Sequence, residues 1–159
     1  MFNVSNLEIG ITVSITDECI EVFKNNRRNS KSNERGGLLF SSPVVSDCVE
    51  VSSVSEPTKK DKSGKYYFYP DPASSQQEID RQFARQLAYV GDWHTHPSDI
   101  PKPSPKDVVT IKKVFNESSH NLNYVLMIII GTSNDFRNNY YCLTDGDEVY
   151  ELRVHNVVA

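Results

Sequence analysis

A mixed α/β (α+β) fold follows from three features of the sequence. Short runs rich in β-branched and aromatic residues, as at residues 49–54 and 66–69, recur along the chain. Between them lie segments with the period of amphipathic helices, and Val125–Ile130 is apolar at every position, as in a strand covered on both faces. A sheet flanked by helices accounts for all three. The 159 residues suit one domain, expected to span 1–159, and a chain of this size holds a core without metal or disulfide staples. A metal here therefore serves chemistry.

Taken in order, Leu7, Ile9, Ile11, Val13 and Ile15 alternate with other residues and predict a first strand. Thr16 followed by Asp17 and Glu18 predicts a helix start, with Ile20 and Phe23 on its apolar face and an end near Asn26. Residues 25–33, with Arg27, Arg28 and Lys31, read as an exposed loop that Glu34 closes, before the apolar stretch 37–40. Val44, Val45 and residues 49–54 read as the next strand or strands, and residues 66–69 as another. The charged segment 56–64 between them reads as a mobile hairpin tip. From Asp71 a helix is expected whose stripe of Ile79, Phe83 and Leu87 faces the core. Residues 89–96 return to extended chain, and residues 104–115 form a helix capped by Ser104 with Pro105 in its first turn. Residues 136–143 and 149–154 complete the β content around an Asp145-Gly146 turn.

The net charge of −4 lacks the basic footprint of a nucleic-acid binder, so no nucleic-acid partner is expected. No apolar run approaches the ~20 residues that cross a bilayer, and no secretory signal opens the chain. No membrane partner is expected, and the location expected is the cytoplasm. Cys19, Cys48 and Cys142 match no zinc-ribbon or CxxC spacing and read as small buried hydrophobes.

The informative stretch is Trp93-His94-Thr95-His96-Pro97 followed by Pro103-Ser104-Pro105-Lys106-Asp107. In extended chain His94 and His96 point to one face, so one metal can take both imidazoles. Asp107, in the first turn of the next helix, can supply a carboxylate, leaving the fourth position of a tetrahedral zinc open for water. Singly, each residue is ordinary: a lone histidine is more often a surface or core residue, and Ser104 with Asp107 passes as a capping box. Jointly, at this chain's own residue frequencies, the set arises by chance in roughly 4 of 100,000 such chains. A metallo-β-lactamase motif would need Asp and His after His96, where Pro97 stands, and a zinc deaminase would need a CxxC. His120 and His155 read as bystanders.

His94-x-His96, Ser104 eight residues on and Asp107 three later resemble the motif of the JAMM (JAB/MPN-type) metalloproteases. Glu34, just before Gly36 and Gly37, stands where that family carries an upstream glutamate. The likeness follows the order of elements through residues 7–131 and implies a single JAB/MPN domain with a mixed, curved sheet. It further implies one Zn²⁺ held by His94, His96 and Asp107, with Glu34 as acid/base and Ser104 as oxyanion stabiliser. The family hydrolyses isopeptide bonds between the tail of a ubiquitin-like modifier and lysine. Among its members, the chain is most similar to stand-alone bacterial JAB deconjugases of the CBASS anti-phage type. Their protein partner is a cGAS-like nucleotidyltransferase joined through its C-terminal tail to a target lysine. A sulfur-carrier protease is the alternative within the class. A non-catalytic MPN scaffold is the alternative outside it, and its signature, missing ligands, is not seen. The tail is expected to add as a strand beside residues 59–69.

Overall fold

The computed structural model describes residues 1–27, 32–43 and 47–155. The readings at Arg28, Lys31, Val44 and Val45 lie outside the described residues. Ten strands, three α-helices and one short 3₁₀ helix are described. The main sheet holds eight strands in the order β1 (Phe2–Asn6), β2 (Ile11–Ile15), β4 (Cys48–Val54), β3 (Gly36–Ser41), β7 (Ala88–Thr95), β8 (Val125–Ile130), β9 (Tyr140–Thr144) and β10 (Val149–Leu152). The sheet is mixed, since β2 with β4 and β7 with β8 are parallel while the other pairs are antiparallel. It curls until its outer strands meet, where Ser5 and Arg153 exchange backbone hydrogen bonds of 2.8 and 2.9 Å.

Strand β8 explains how the interior divides. Its even-numbered side chains Leu126, Ile128 and Ile130 join the main core with Val13, Phe23 and Trp93, where helix α1 (Asp17–Asn26) packs. Val125, Met127 and Ile129 face the other way, beneath Ile111 of helix α3 (Pro105–Glu117). Alternation thus turns one apolar run into the floor of two cores. Strand β7 follows the same division after a register shift near Leu39 and Phe40, which sends Trp93 into the main core and Asp92 and His94 to the α3 face. Trp93 meets the Phe23 ring at 5.2 Å and donates to the Ser55 carbonyl at 3.0 Å.

Five expectations are corrected. The alternation over residues 7–15 is not one strand: Leu7 is 74% exposed in a turn between β1 and β2, which Gly10 closes at φ +70°. Residues of two structural contexts had produced one period. The helix after Asp71, α2 (Pro72–Ala84), does not face the core with Phe83, which is 74% exposed. It buries Gln82 instead, whose amide donates to Ser53 Oγ and Glu78 Oε1, and Leu87 falls beyond its end. The segment read as a hairpin tip contains strand β5 (Lys62–Gly64), which pairs with β6 (Tyr67–Tyr69), so the turn falls at Lys65 and Tyr66. Residues Phe136–Asn138 form the 3₁₀ turn, capped by Asp135, and β9 begins only at Tyr140. Cys48, first in β4, is exposed, while Cys19 and Cys142 are buried. No described helix is long and apolar enough to cross a membrane.

Candidate active site

The two histidines stand at the end of β7, where period-two alternation sends both rings to the α3 face. His94 Nε2 and His96 Nε2 lie 3.2 Å apart. The chain beyond β7 is pinned by two bonds: His96 N–H donates to the Ile130 carbonyl at 3.0 Å, and Thr132 N–H to the Ser98 carbonyl at 3.0 Å. Asp99 also accepts a short hydrogen bond from the Thr132 hydroxyl. These contacts return the chain to Ser104, the cap of α3.

The cap itself aims the third ligand. Ser104 Oγ accepts from Asp107 N–H at 3.0 Å, and Asp107 Oδ2 accepts from Ser104 N–H at 2.9 Å, a reciprocal capping box. The same carboxylate reaches His94 Nε2 at 3.3 Å through Oδ1 and His96 Nε2 at 3.2 Å through Oδ2. Burial works to raise the Asp107 pKa, but the two imidazoles and the Ser104 N–H outweigh it and hold the carboxyl well below its ordinary value.

Glu34 arrives from far away in sequence. Its N–H donates to the Gly64 carbonyl at 2.8 Å, which ties it to the β5–β6 hairpin. Next door, Arg35 N–H donates to Thr95 Oγ1 at 3.0 Å while Thr95 N–H donates to the Arg35 carbonyl at 2.9 Å. Thr95, the residue between the histidines, thereby sets the position of Glu34. The buried Glu34 places Oε1 3.8 Å from His96 Nε2. All five side chains singled out in the sequence therefore stand around one cleft. His120 and His155 stand elsewhere, on the carbonyls of Phe115 and Ser5.

His94, His96 and Asp107 form the one group of three metal-ligating side chains among the described residues. One ligand atom from each lies within 4.8 Å of the others, and the 3.2 Å between the two Nε2 atoms is close to the roughly 3.3–3.4 Å that bonds of about 2.0–2.1 Å set between donors in a tetrahedral site, with one Asp107 oxygen at a similar distance from each ring. Two imidazoles with one carboxylate are also a donor set that catalytic zinc uses. The chemistry of the donors and their spacing both fit the ion.

Two neighbours were not singled out in the sequence. Asp92, two residues before His94 and so on the same face of β7, sits beneath α3 with its pKa pushed up to about 6 by burial, against the opposing effects of the Tyr89 hydroxyl and His94. Lys106, beside Asp107, sets its ammonium 4.9 Å from the centre of the Tyr69 ring and 6.0 Å from that of Tyr67. The two-residue period signalled Asp92, while nothing in the sequence pairs Lys106 with the hairpin.

Residues 17–142 match the family described as prokaryotic homologs of the JAB domain. Three proteins named CD-NTase/cGAS isopeptidase are similar to the chain. The one from Enterobacter hormaechei subsp. hoffmannii is 26% identical over 76% of this chain and 67% of its own length. That from Pseudomonas aeruginosa is 35% identical over 55% of this chain and 58% of its own. That from Escherichia coli is 31% identical over 48% and 51%, so the matches span about half to two thirds of these relatives. The solution structure of a protein from Desulfitobacterium hafniense superposes with a TM-score of 0.65 over 87% of this chain and 88% of that one. At 21% identity that likeness speaks to the fold alone.

Proposed function

Because the chain belongs to the family of prokaryotic JAB-domain homologues, we propose that it is a zinc-dependent isopeptidase of the JAMM type, with residues 1–159 as one catalytic domain. Its substrate in this reading is a CD-NTase/cGAS-like protein joined through its C-terminal tail to a lysine, which it releases in anti-phage defence. The names of the three relatives support the substrate. The observation that carries the chemistry is the triangle of His94, His96 and Asp107 with Glu34 beside it.

His94, His96 and Asp107 would hold the Zn²⁺, and when bound it would supply Lewis acidity that makes water acidic near neutral pH and polarises an amide carbonyl. Glu34 Oε1 then takes a proton from water beside the imidazoles and passes it to the departing amine, which leaves only when protonated. Burial suits the carboxylate to this exchange, because bulk water does not compete for the proton. The Ser104 hydroxyl spends an acceptor position on Asp107 N–H and keeps its own proton for the oxyanion that develops on the carbonyl. Asp107 divides its carboxylate between the cap and the imidazoles, so the helix holds the site in register. Beyond the site, the substrate tail lies extended along the β5–β6 hairpin as an added strand.

The test is a fusion carrying the nucleotidyltransferase C-terminus, incubated with the protein and read by mass spectrometry for a chelator-sensitive product. Glu34→Gln is expected to retain zinc and lose hydrolysis, whereas His94→Ala and Asp107→Ala lose both. Near-normal turnover by Glu34→Gln would overturn the acid/base assignment, and a metal-free active protein would overturn the whole reading.

A further inference from the structure

Beneath the site lies a cavity of about 130 Å³ between α3, the β6 strand and the face of β7 and β8. Tyr67 and Phe68 cover one side of it, and Ile111, Val114 and Met127 wall the other. Three carboxylates line it: Glu34 and Asp107 belong to the site already described, and Asp92 is the one that site does not use. Tyr89 donates its hydroxyl to Asp92 Oδ1 at 3.1 Å, and no described residue donates to Oδ2. No described lysine, arginine or histidine lies within ion-pair distance of it. The one lysine in the lining, Lys106, sets its ammonium over the Tyr67 and Tyr69 rings and makes no ion pair with Asp92.

A half-buried carboxylate with one oxygen unmatched favours a ligand that brings both a donor and a positive charge. The walls ask in addition for an apolar body of limited size, since a cavity of ~150 Å³ admits a group about as large as benzene. A lysine or arginine side chain meets both demands, packing its methylenes on Ile111, Val114 and Met127 and carrying its charged head to the acid. An uncharged side chain of the same length would fill the space and leave Oδ2 without a donor, at a free-energy cost.

The geometry points to this cavity as the subsite for a basic side chain of the substrate tail, read by Asp92. This inference rests on the isopeptidase reading given above. It adds which residue type the tail carries and where. Asp92 precedes His94 by two residues, roughly 6.6 Å of extended strand, and β6 forms the opposite wall along which the tail lies. The basic residue therefore falls two or three positions before the bond that is cut. Asp92 acts as a specificity determinant and touches none of the reacting atoms.

Two measurements on the zinc-loaded protein test this. Tail peptides carrying lysine, arginine, norleucine or glutamate at each of the last four positions are compared for binding to the Glu34→Gln protein by fluorescence anisotropy. The same peptides, joined to a lysine, are compared for cleavage by the wild type. Lysine or arginine is expected to exceed norleucine by about tenfold at one position, in keeping with a hydrogen bond to a charged group. Asp92→Asn is expected to bring that ratio close to one, whereas a purely structural role for Asp92 would lower all peptides together and leave the ratio intact. Cleavage without a basic preference at any position overturns the subsite and leaves the isopeptidase reading standing. A basic preference in binding without cleavage of any peptide supports the subsite and overturns that reading. The wild-type scan decides the matter even if Asp92→Asn does not fold.

Discussion

Replacing Ser104 by alanine removes two interactions at once, and the structure allows them to be told apart. As the cap of α3, Ser104 Oγ accepts from Asp107 N–H at 3.0 Å, and loss of such a cap commonly costs about 1 kcal/mol. For a chain of this size that lowers Tm by about 2–4 °C. As an oxyanion donor the same hydroxyl is worth about 10²–10³ in kcat. Glycine separates the roles, because at a cap position it gives up only a few tenths of a kcal/mol while deleting the hydroxyl. The expected order is thus Ser104→Thr close to wild type in both measures, Ser104→Gly near wild type in Tm with a 10²–10³-fold loss of kcat, and Ser104→Ala reduced in both. The assays are thermal unfolding of the zinc-loaded protein and turnover of the tail fusion. If Ser104→Gly keeps kcat within about fivefold, the hydroxyl is a cap alone and the oxyanion is held elsewhere.

Further expectations follow from other parts of the fold. A Cβ added at Gly91 would lie 1.9 Å from the Leu126 carbonyl oxygen, on backbone that cannot yield without parting β7 from β8, so Gly91→Ala should lose several kcal/mol in denaturant unfolding, about the upper end for single substitutions. At the turn of the β5–β6 hairpin, Lys65→Glu combined with Tyr66→Ser should lower kcat/KM for a folded conjugate more than for a short tail peptide, and equal losses would place substrate binding elsewhere. Asp71 caps α2, and its pKa is lowered first by the Ser74 N–H and then by the Ser74 hydroxyl. A carboxyl held below its unfolded value contributes stability that is present above that value and lost as the pH falls through the folded one. Asp71→Ala should therefore flatten the acid side of the Tm-against-pH curve, and an unchanged acid slope would refute the cap's part in it.

The site was more legible than the fold because its geometry is mostly local. His94 and His96 are neighbours through strand alternation alone, and Ser104 with Asp107 through one helical turn, so spacing encodes both pairs. What brings the pairs together is not local: the loop from His96 to Ser104 is fastened to β8 and the residues after it, through Ile130, Gly131 and Thr132. Glu34 depends on contacts with Thr95 and Gly64 whose partners share no period with it, and it was placed by resemblance rather than by pattern. The misread elements failed for the converse reason. Periodicity reports that a side chain has an apolar choice of face, and at Phe83 the sheet offers no surface to receive it, so tertiary packing selects Gln82 instead. At residues 7–15 an apolar alternation runs across a turn because Gly10 permits a backbone conformation that hydrophobic pattern cannot register.

The same distinction bears on which residues carry specificity. Ligands that share a strand or a helix turn are held rigidly, since moving one requires breaking the sheet or unwinding the cap. The wall opposite them belongs to a two-stranded hairpin, joined to the body through the Glu34–Gly64 bond, through Lys106 over Tyr67 and Tyr69, and through the Phe68 ring packed against Gly36. A rigid reaction centre facing a lightly attached wall lets the wall vary with the substrate while the chemistry stays fixed. Asp92 lies on the rigid side of that boundary, on β7 itself. A preference it imposes is therefore set by the strand that orients His94, and it should persist when the hairpin turn is altered by Lys65→Glu and Tyr66→Ser. Loss of the basic preference in that double variant would assign the selection to the hairpin and remove it from the sheet.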